Sequence, residues 1–261
     1  MGIIISFFNQ KGGVAKTTSV VNVGAFISAS EKKVLVVDMD PQASATVTLG
    51  VNDADLKATI FDLLIDRVVT KEQIQEVIIK TEFDNLDLLP SNITLSNADL
   101  EIAGFISRES LLKNILLKVK DDYDYILIDC PPNLGLMSIN SLTASNYIII
   151  PVSPNFLSVY GIKHLMQTYK LIKSTVNPDL EILGILITLF DGRKNKAKET
   201  KKALINQFEG EIFETIIRTN VEIEKSQFER KPILYYSQKC NAFTDYSNLT
   251  EEILSVFEGD K

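Results

Sequence analysis

The run Phe8-Asn9-Gln10-Lys11-Gly12-Gly13-Val14-Ala15-Lys16-Thr17-Thr18 holds the residue types best suited in this chain to grip an anion. Backbone N–H groups in a glycine-rich turn, and at the first turn of a helix, have no helical partner and can donate to phosphate oxygens. Gly12 and Gly13 let the backbone approach closely and adopt positive φ. The amides from Gly12 through Val14 and Ala15 to Thr18 would form the cradle. Lys16 would reach the outer phosphates, and the Thr17 hydroxyl would sit on Mg²⁺.

Two acidic segments add to this chemistry. Asp38-Met39-Asp40-Pro41-Gln42 closes the apolar run 33–38. Asp38 and Asp40 are two apart and project to one side if the strand continues, until Pro41 breaks it. Asp129 ends the apolar run 125–129 and precedes Cys130-Pro131-Pro132. A carboxylate at such a strand end can hold Mg²⁺ directly or through water. Simpler readings stay open: Asp40 or Ser44 capping the next helix, Asp129 opening a plain turn.

These residues need elements to place them. Residues 3–8 read as a buried strand and 16–30 as the helix that receives the phosphate. Further apolar runs at 33–38, 86–89, 125–129, 146–151 and 182–190 alternate with amphipathic stretches at 56–64, 71–80 and 156–173. That alternation predicts an α/β fold: a mostly parallel twisted sheet with helices on both faces, one domain over 1–261. Acidic groups at the carboxyl ends of parallel strands, beside a phosphate turn, are where a nucleotide site is expected.

Composition narrows the field. No apolar run approaches the length that spans a bilayer. Cys130 and Cys240 give no metal-ligand spacing and suit a reducing cytoplasm; His164 is the single histidine. Met1-Gly2 with Ser6 matches an N-myristoylation pattern, but Gly2 precedes a strand that must be buried. Net charge of −7 argues against a wholly basic, nucleic-acid-covering surface, although Arg193, Lys194, Lys196, Lys198, Lys201 and Lys202 cluster within ten residues. That cluster reads as a DNA patch or as a solvated helix face.

The turn departs from G-x-x-x-x-G-K-[ST]: Gln10 and Ala15 stand at the glycine positions, and lysines stand at both ends. K-G-G-x-x-K-T resembles the deviant Walker A motif of the ParA/MinD ATPases, a P-loop NTPase family. Family members usually carry glycine where Ala15 stands, and alanine is expected to fit with an ordinary φ. D-x-D-P-Q-x-x-x-T at 38–46 resembles the ParA switch motif more closely than anything in MinD, and Y-D-Y-I-L-I-D-x-P-P at 123–132 is similar to the Walker B segment of the family. Weaker matches are P-S-x-x-x-L at 90–95, L-x-T-x-F-D-x-R ending at Arg193, and the segment 216–222.

The resemblance implies a partition ATPase that uses ATP and Mg²⁺. Lys11 would reach the partner's nucleotide across an ATP-sandwich homodimer. Asp40 would activate the attacking water, Asp38 and Asp129 would serve the Mg²⁺ shell, and Asn220 would bond near the base. It implies non-specific DNA binding, here through Arg193, Lys196, Lys198, Lys201, Lys202, Arg218 and Lys225, and a ParB-like partner that stimulates hydrolysis. It places the protein in the cytoplasm, on the nucleoid in the ATP state. Glu222 stands where some relatives carry a DNA-binding arginine. The last helix sets Phe243, Tyr246, Leu249, Ile253 and Phe257 on one face and Asp245, Glu251, Glu252 and Glu258 on the other. An acidic polar face fits core packing rather than a MinD-like membrane helix. An N-terminal DNA-binding extension is not expected. A MinD-like positioning ATPase and an ATP-dependent synthetase of the same fold are the alternatives; an iron–sulfur ATPase reductase is improbable with two unspaced cysteines.

Overall fold

A computed structural model describes residues 2–155, 158–208 and 210–258. Its framework is a seven-stranded sheet: β1 (Ile3–Phe7), β2 (Val34–Asp38), β3 (Ile79–Lys80), β4 (Leu86–Leu89), β5 (Tyr125–Asp129), β6 (Tyr147–Val152) and β7 (Glu181–Ile187). The spatial order is β3-β4-β2-β5-β1-β6-β7. All neighbours run parallel except β3, which pairs antiparallel with β4 at the edge.

The two-residue period of a strand sorts the apolar side chains onto two faces. Ile4, Leu35, Val37, Ile126, Ile128 and Ile148 join a core covered by helices Leu111–Leu116, Leu136–Ala144 and Ser158–Thr175. Ile5, Phe7, Val34, Val36, Leu127 and Ile149 join a second core, under helices Lys16–Ala29 and Asn241–Glu258. With both faces covered, the central strands are buried along their whole length, which explains their unbroken Val/Ile/Leu composition.

Several expected elements shift. The helix expected over 56–64 begins only at Ile60 and runs to Ile65, because Thr59 and Asp62 form a capping box there. The helix expected over 71–80 stops at Val77; Ile78 turns extended (ψ 129°), and Ile79–Lys80 becomes the edge strand β3. The helix expected from Phe156 is described from Ser158 to Thr175; Phe156 and Leu157 lie outside the described residues.

The last helix packs as expected, with Tyr246, Leu249 and Ile253 fully buried. Asp245, assigned to its polar face, is instead buried. Gly2 is buried as well, where an added Cβ would lie 2.6 Å from the Lys120 and Tyr123 carbonyl oxygens. No helix among the described residues is long and apolar enough to cross a membrane.

Candidate nucleotide site

β1, β2 and β5 run side by side and end at one level, with Phe7 opposite Asp129 and Asp129 opposite Asp38. The chain leaving β1 turns through residues 9–15 and enters helix Lys16–Ala29. The register of three strands therefore brings the glycine turn and both buried acids together, as a parallel sheet requires.

The helix start is built for an anion. The helical ladder begins with Ser19 N, bonded to Ala15 O at 3.0 Å, so the amides of Lys16, Thr17 and Thr18 precede it. The N-cap is Ala15, which has no side-chain oxygen to cap them. Gly13 takes φ +69° with open space where a Cβ would stand. Ala15 takes φ 60°, ψ 35°, the left-handed region. This overturns the expectation of an ordinary φ at Ala15. The family's glycine adopts such a turn freely, whereas an L-residue is disfavoured there by roughly 1–2 kcal/mol.

Charge in the site is unbalanced. Lys16 is buried and its Nζ reaches the Lys11 carbonyl at 3.3 Å. Burial lowers its pKa, opposed by the negative fields of Asp129, Cys130 and Asp40. Asp38 is fully buried, and burial raises its pKa to about 6. Its oxygens are engaged: Oδ1 accepts from Asp40 N (3.1 Å), and Oδ2 from Thr46 N (2.9 Å) and Thr46 Oγ1 (2.8 Å).

Asp129 differs. It too is fully buried, yet both carboxylate oxygens lack a well-formed hydrogen bond, an exception among the described residues. Burial first, and the neighbouring Asp38 second, push its pKa well above the carboxylate range, opposed by the Thr17 hydroxyl and Lys16. A buried acid with unmet oxygens is costly unless a cation meets it. No cluster of three or more acidic, histidine or cysteine groups among the described residues could hold a metal alone. One free carboxylate and one hydroxyl fit Mg²⁺, which takes few protein ligands and completes its shell with phosphate oxygens and water.

A cavity of about 410 Å³ opens from the turn, bounded by Gly12, Gly13, Lys16–Thr18, Asp40 and Pro132 at one end and by Ile217–Asn220, Ile223 and Gln227 at the other. Asn220 caps helix Val221–Phe228, its Oδ1 accepting from Glu222 N at 2.9 Å, so its amide NH₂ is what it can offer a base. Gln227 Nε2 donates to Thr18 Oγ1 at 3.0 Å and closes the wall between the two ends of the cavity. Asp40 is half-buried and accepts from Gln42 N through Oδ1. Lys11 is exposed.

The structure divides the basic residues into different settings. Lys196, Lys198 and Lys202 are exposed on helix Asn195–Gln207. Helical spacing puts Lys198, Lys201 and Lys202 on one stripe and Lys196 on the opposite flank. Arg193 is exposed, but its fork is held by Asp191 at 2.9 and 3.0 Å, and this pairing lowers the Asp191 pKa to about 2. Arg218 is placed apart, at the end of the cavity lined by Ile217, Thr219 and Asn220. Its guanidinium grips buried Asp245, Nε at 3.0 Å and Nη2 at 2.5 Å, while its backbone N–H binds the same carboxylate at 3.0 Å. Lys225 pairs with Glu222 at 2.8 Å.

Sequence reasoning did not find Thr46, Thr188, Gln227 or Asp245. Thr46 stands within the quoted D-x-D-P-Q-x-x-x-T motif, and Thr188 within L-x-T-x-F-D-x-R, so the motifs held the signal. Gln227 and Asp245 stand in no such pattern.

A strand–turn–helix phosphate cradle, a lysine within it and a buried, unmet acid on the adjacent strand define an Mg²⁺-dependent P-loop ATPase. Residues 2–182 match the family described as AAA domain. The sporulation initiation inhibitor protein Soj of Bacillus subtilis (strain 168) is 40% identical over 253 residues, 97% of this chain and 98% of its own length. The chromosome-partitioning ATPase Soj of Treponema pallidum (strain Nichols) is 39% identical over 255 residues, 98% of each chain. A crystal structure of cobyrinic acid a,c-diamide synthase from Mycobacterium smegmatis, with bound ATP analog and magnesium, superposes with a TM-score of 0.86 at 28% identity over 100% of this chain and 98% of that one. The chain belongs to the Soj/ParA family of partition ATPases, within the AAA domain family.

Two outcomes follow from this geometry. Ala15→Gly should raise stability by about 1 kcal/mol, relief of the left-handed alanine exceeding the added freedom of the unfolded chain. Differential scanning calorimetry should show this as a melting point higher by about 2–4 °C. Asp129→Asn replaces a buried, ionisable acid with a neutral amide of nearly the same shape. The nucleotide-free variant should melt no lower than wild type, and it should lose the extra stabilisation that Mg²⁺ adds to bound ATP.

Proposed function

We propose that this ATPase partitions a chromosome or plasmid: with ATP and Mg²⁺ bound, two copies close face to face, bind DNA without sequence preference and release it on hydrolysis. The observation that carries the reading is the stripe of exposed Lys198 and Lys202 with half-buried Lys201 between them, on a chain of net charge −7 and joined through Phe190 and Asp191 to the wall of the nucleotide cavity. Asymmetry of that kind is an electrostatic footprint for a polyanion. The identity of Soj relatives over nearly the whole chain supports it.

Each site residue takes a role. The amides of Gly12 to Thr18 and the Lys16 ammonium hold the phosphates. Thr17 and Asp129 would hold Mg²⁺, which when bound neutralises charge on the phosphates. Asp38, expected in the Mg²⁺ shell, acts one step back instead because both its oxygens are engaged: by binding Thr46 and the Asp40 amide it fixes the turn that aims Asp40 at the attacking water. Lys11, exposed on the turn's outer side, is free to reach the second copy's phosphates. Two lysines per site and the excluded water supply transition-state stabilisation that a lone subunit lacks, so hydrolysis is slow until the dimer closes. Asn220 serves the base.

Arg218 and Lys225 are removed from the DNA surface in this reading, since Asp245 and Glu222 already neutralise them. Arg193, paired with Asp191, and Lys196, on the opposite flank of its helix, are set aside as well, and the lysine stripe remains. A ParB-like centromere-binding protein is the partner that speeds hydrolysis, and the protein is cytoplasmic and nucleoid-bound in its ATP state.

Binding to unrelated duplex DNA tests the reading. It should require ATP–Mg²⁺, fail with ADP, and weaken steeply with salt. Neutralising Lys198, Lys201 and Lys202 together should cut affinity at least about tenfold and flatten the salt slope. ATP-dependent dimers that bind no DNA would turn the search to a protein or membrane cargo. In parallel, Asp40→Ala should keep ATP affinity and lose turnover; normal turnover would remove Asp40 from the mechanism.

A further inference from the structure

We infer that Thr188 is a positioning residue of the nucleotide site, setting the direction of one cradle amide and passing the state of the phosphate turn to the basic segment that follows it. This rests on ATP binding at the turn and not on the DNA reading. Thr188 is fully buried just past β7, 174 residues from the turn, and its Oγ1 donates to the Val14 carbonyl at 2.9 Å.

The consequence comes from the peptide plane. In a trans peptide the C=O of Val14 and the N–H of Ala15 point in opposite directions. Holding the Val14 oxygen toward Thr188 therefore turns the Ala15 N–H the other way, toward the cavity that Ala15 lines. That orientation needs holding, because Ala15 sits in a left-handed conformation that alanine disfavours. Among the cradle residues, Ala15 is where the chain's departure from glycine is met by an outside anchor.

The other side of Thr188 is tied just as closely. Its N–H donates to Val152 O at 2.9 Å. Leu189 follows at φ 52°, a second left-handed residue, and it lines the same cavity. Phe190 then clips the base-end segment, its N–H donating to Ile217 O at 3.0 Å and its carbonyl accepting from Thr219 N at 3.1 Å. The Phe190 ring lies 5.6 Å from Lys201 Nζ, and Asp191 holds Arg193. Within four residues the chain touches the phosphate turn, the base end and the basic helix. A phosphate that fixes the Ala15 amide strengthens the Val14–Thr188 bond on the far side of the same peptide and thereby steadies residues 188–194.

Three chains test this: wild type, Thr188→Val, which keeps the shape and removes the donor, and Thr188→Ser, which keeps the donor. For a non-hydrolysable ATP analogue with Mg²⁺, Thr188→Val should bind about tenfold more weakly than wild type, and Thr188→Ser should recover most of the loss. Hydrogen exchange in wild type should show amides of 188–194 slowed about tenfold by the analogue, and at saturating analogue this slowing should be absent in Thr188→Val. Wild-type affinity in Thr188→Val, or no recovery in Thr188→Ser, would overturn the inference. The wild-type measurement stands alone if the valine variant does not fold: no nucleotide-dependent slowing in 188–194 would also overturn it.

Discussion

A fully buried carboxylate whose oxygens lack well-formed hydrogen bonds is the constraint around which this molecule is arranged. Asp129 lies at the end of a central strand, out of water, its oxygens without well-formed partners and its nearest strand neighbour another buried acid. Two such groups in a low-dielectric interior repel each other and resist ionisation. The chain answers only in part. Thr46 and the Asp40 amide satisfy Asp38, while Lys16 and the Thr17 hydroxyl temper Asp129. The remaining deficit matches a divalent cation, and the uncapped helix start beside it matches the anion that cation accompanies. Mg²⁺ and nucleotide bound together would meet the charges and donors of the site. Binding energy is thus available to bias the segments that border the cavity.

The sheet makes this geometry possible. Parallel strands place all their carboxyl ends at one edge, and double helical cover keeps that edge dry between the turn and the acids. The strand register, Phe7 with Asp129 and Asp129 with Asp38, brings residues 122 and 91 apart in sequence to the same level. Residues 217–220, at the other end of the cavity, arrive by a different route, clipped to the chain just beyond β7. The cavity is therefore walled by both halves of the chain.

Much of this could be read from the sequence, because its signals were local. The glycine turn, the strand-end acids and the unbroken apolar runs of buried strands each lie within a dozen residues, and their order matched a known family. Features set by long-range contact were hidden. Asp245 sits one residue before buried Tyr246 and looked like part of a polar face; only the fold brings Arg218 to it. The left-handed Ala15 followed from no propensity, since it is imposed by the turn's closure and held by Thr188. The short β3 was masked by a helix pattern that continued past Val77, until pairing with β4 claimed Ile79 and Lys80.

The central claim is that Asp129 and the phosphate turn form one site completed jointly by metal and nucleotide. Isothermal titration calorimetry with ATP, in Mg²⁺ and in EDTA, on wild type and Lys16→Ala addresses it most directly. The account predicts that wild type binds ATP at least about tenfold more tightly with Mg²⁺, and that Lys16→Ala loses binding in both conditions. Equal affinity with and without Mg²⁺, or unchanged affinity in Lys16→Ala, would contradict it.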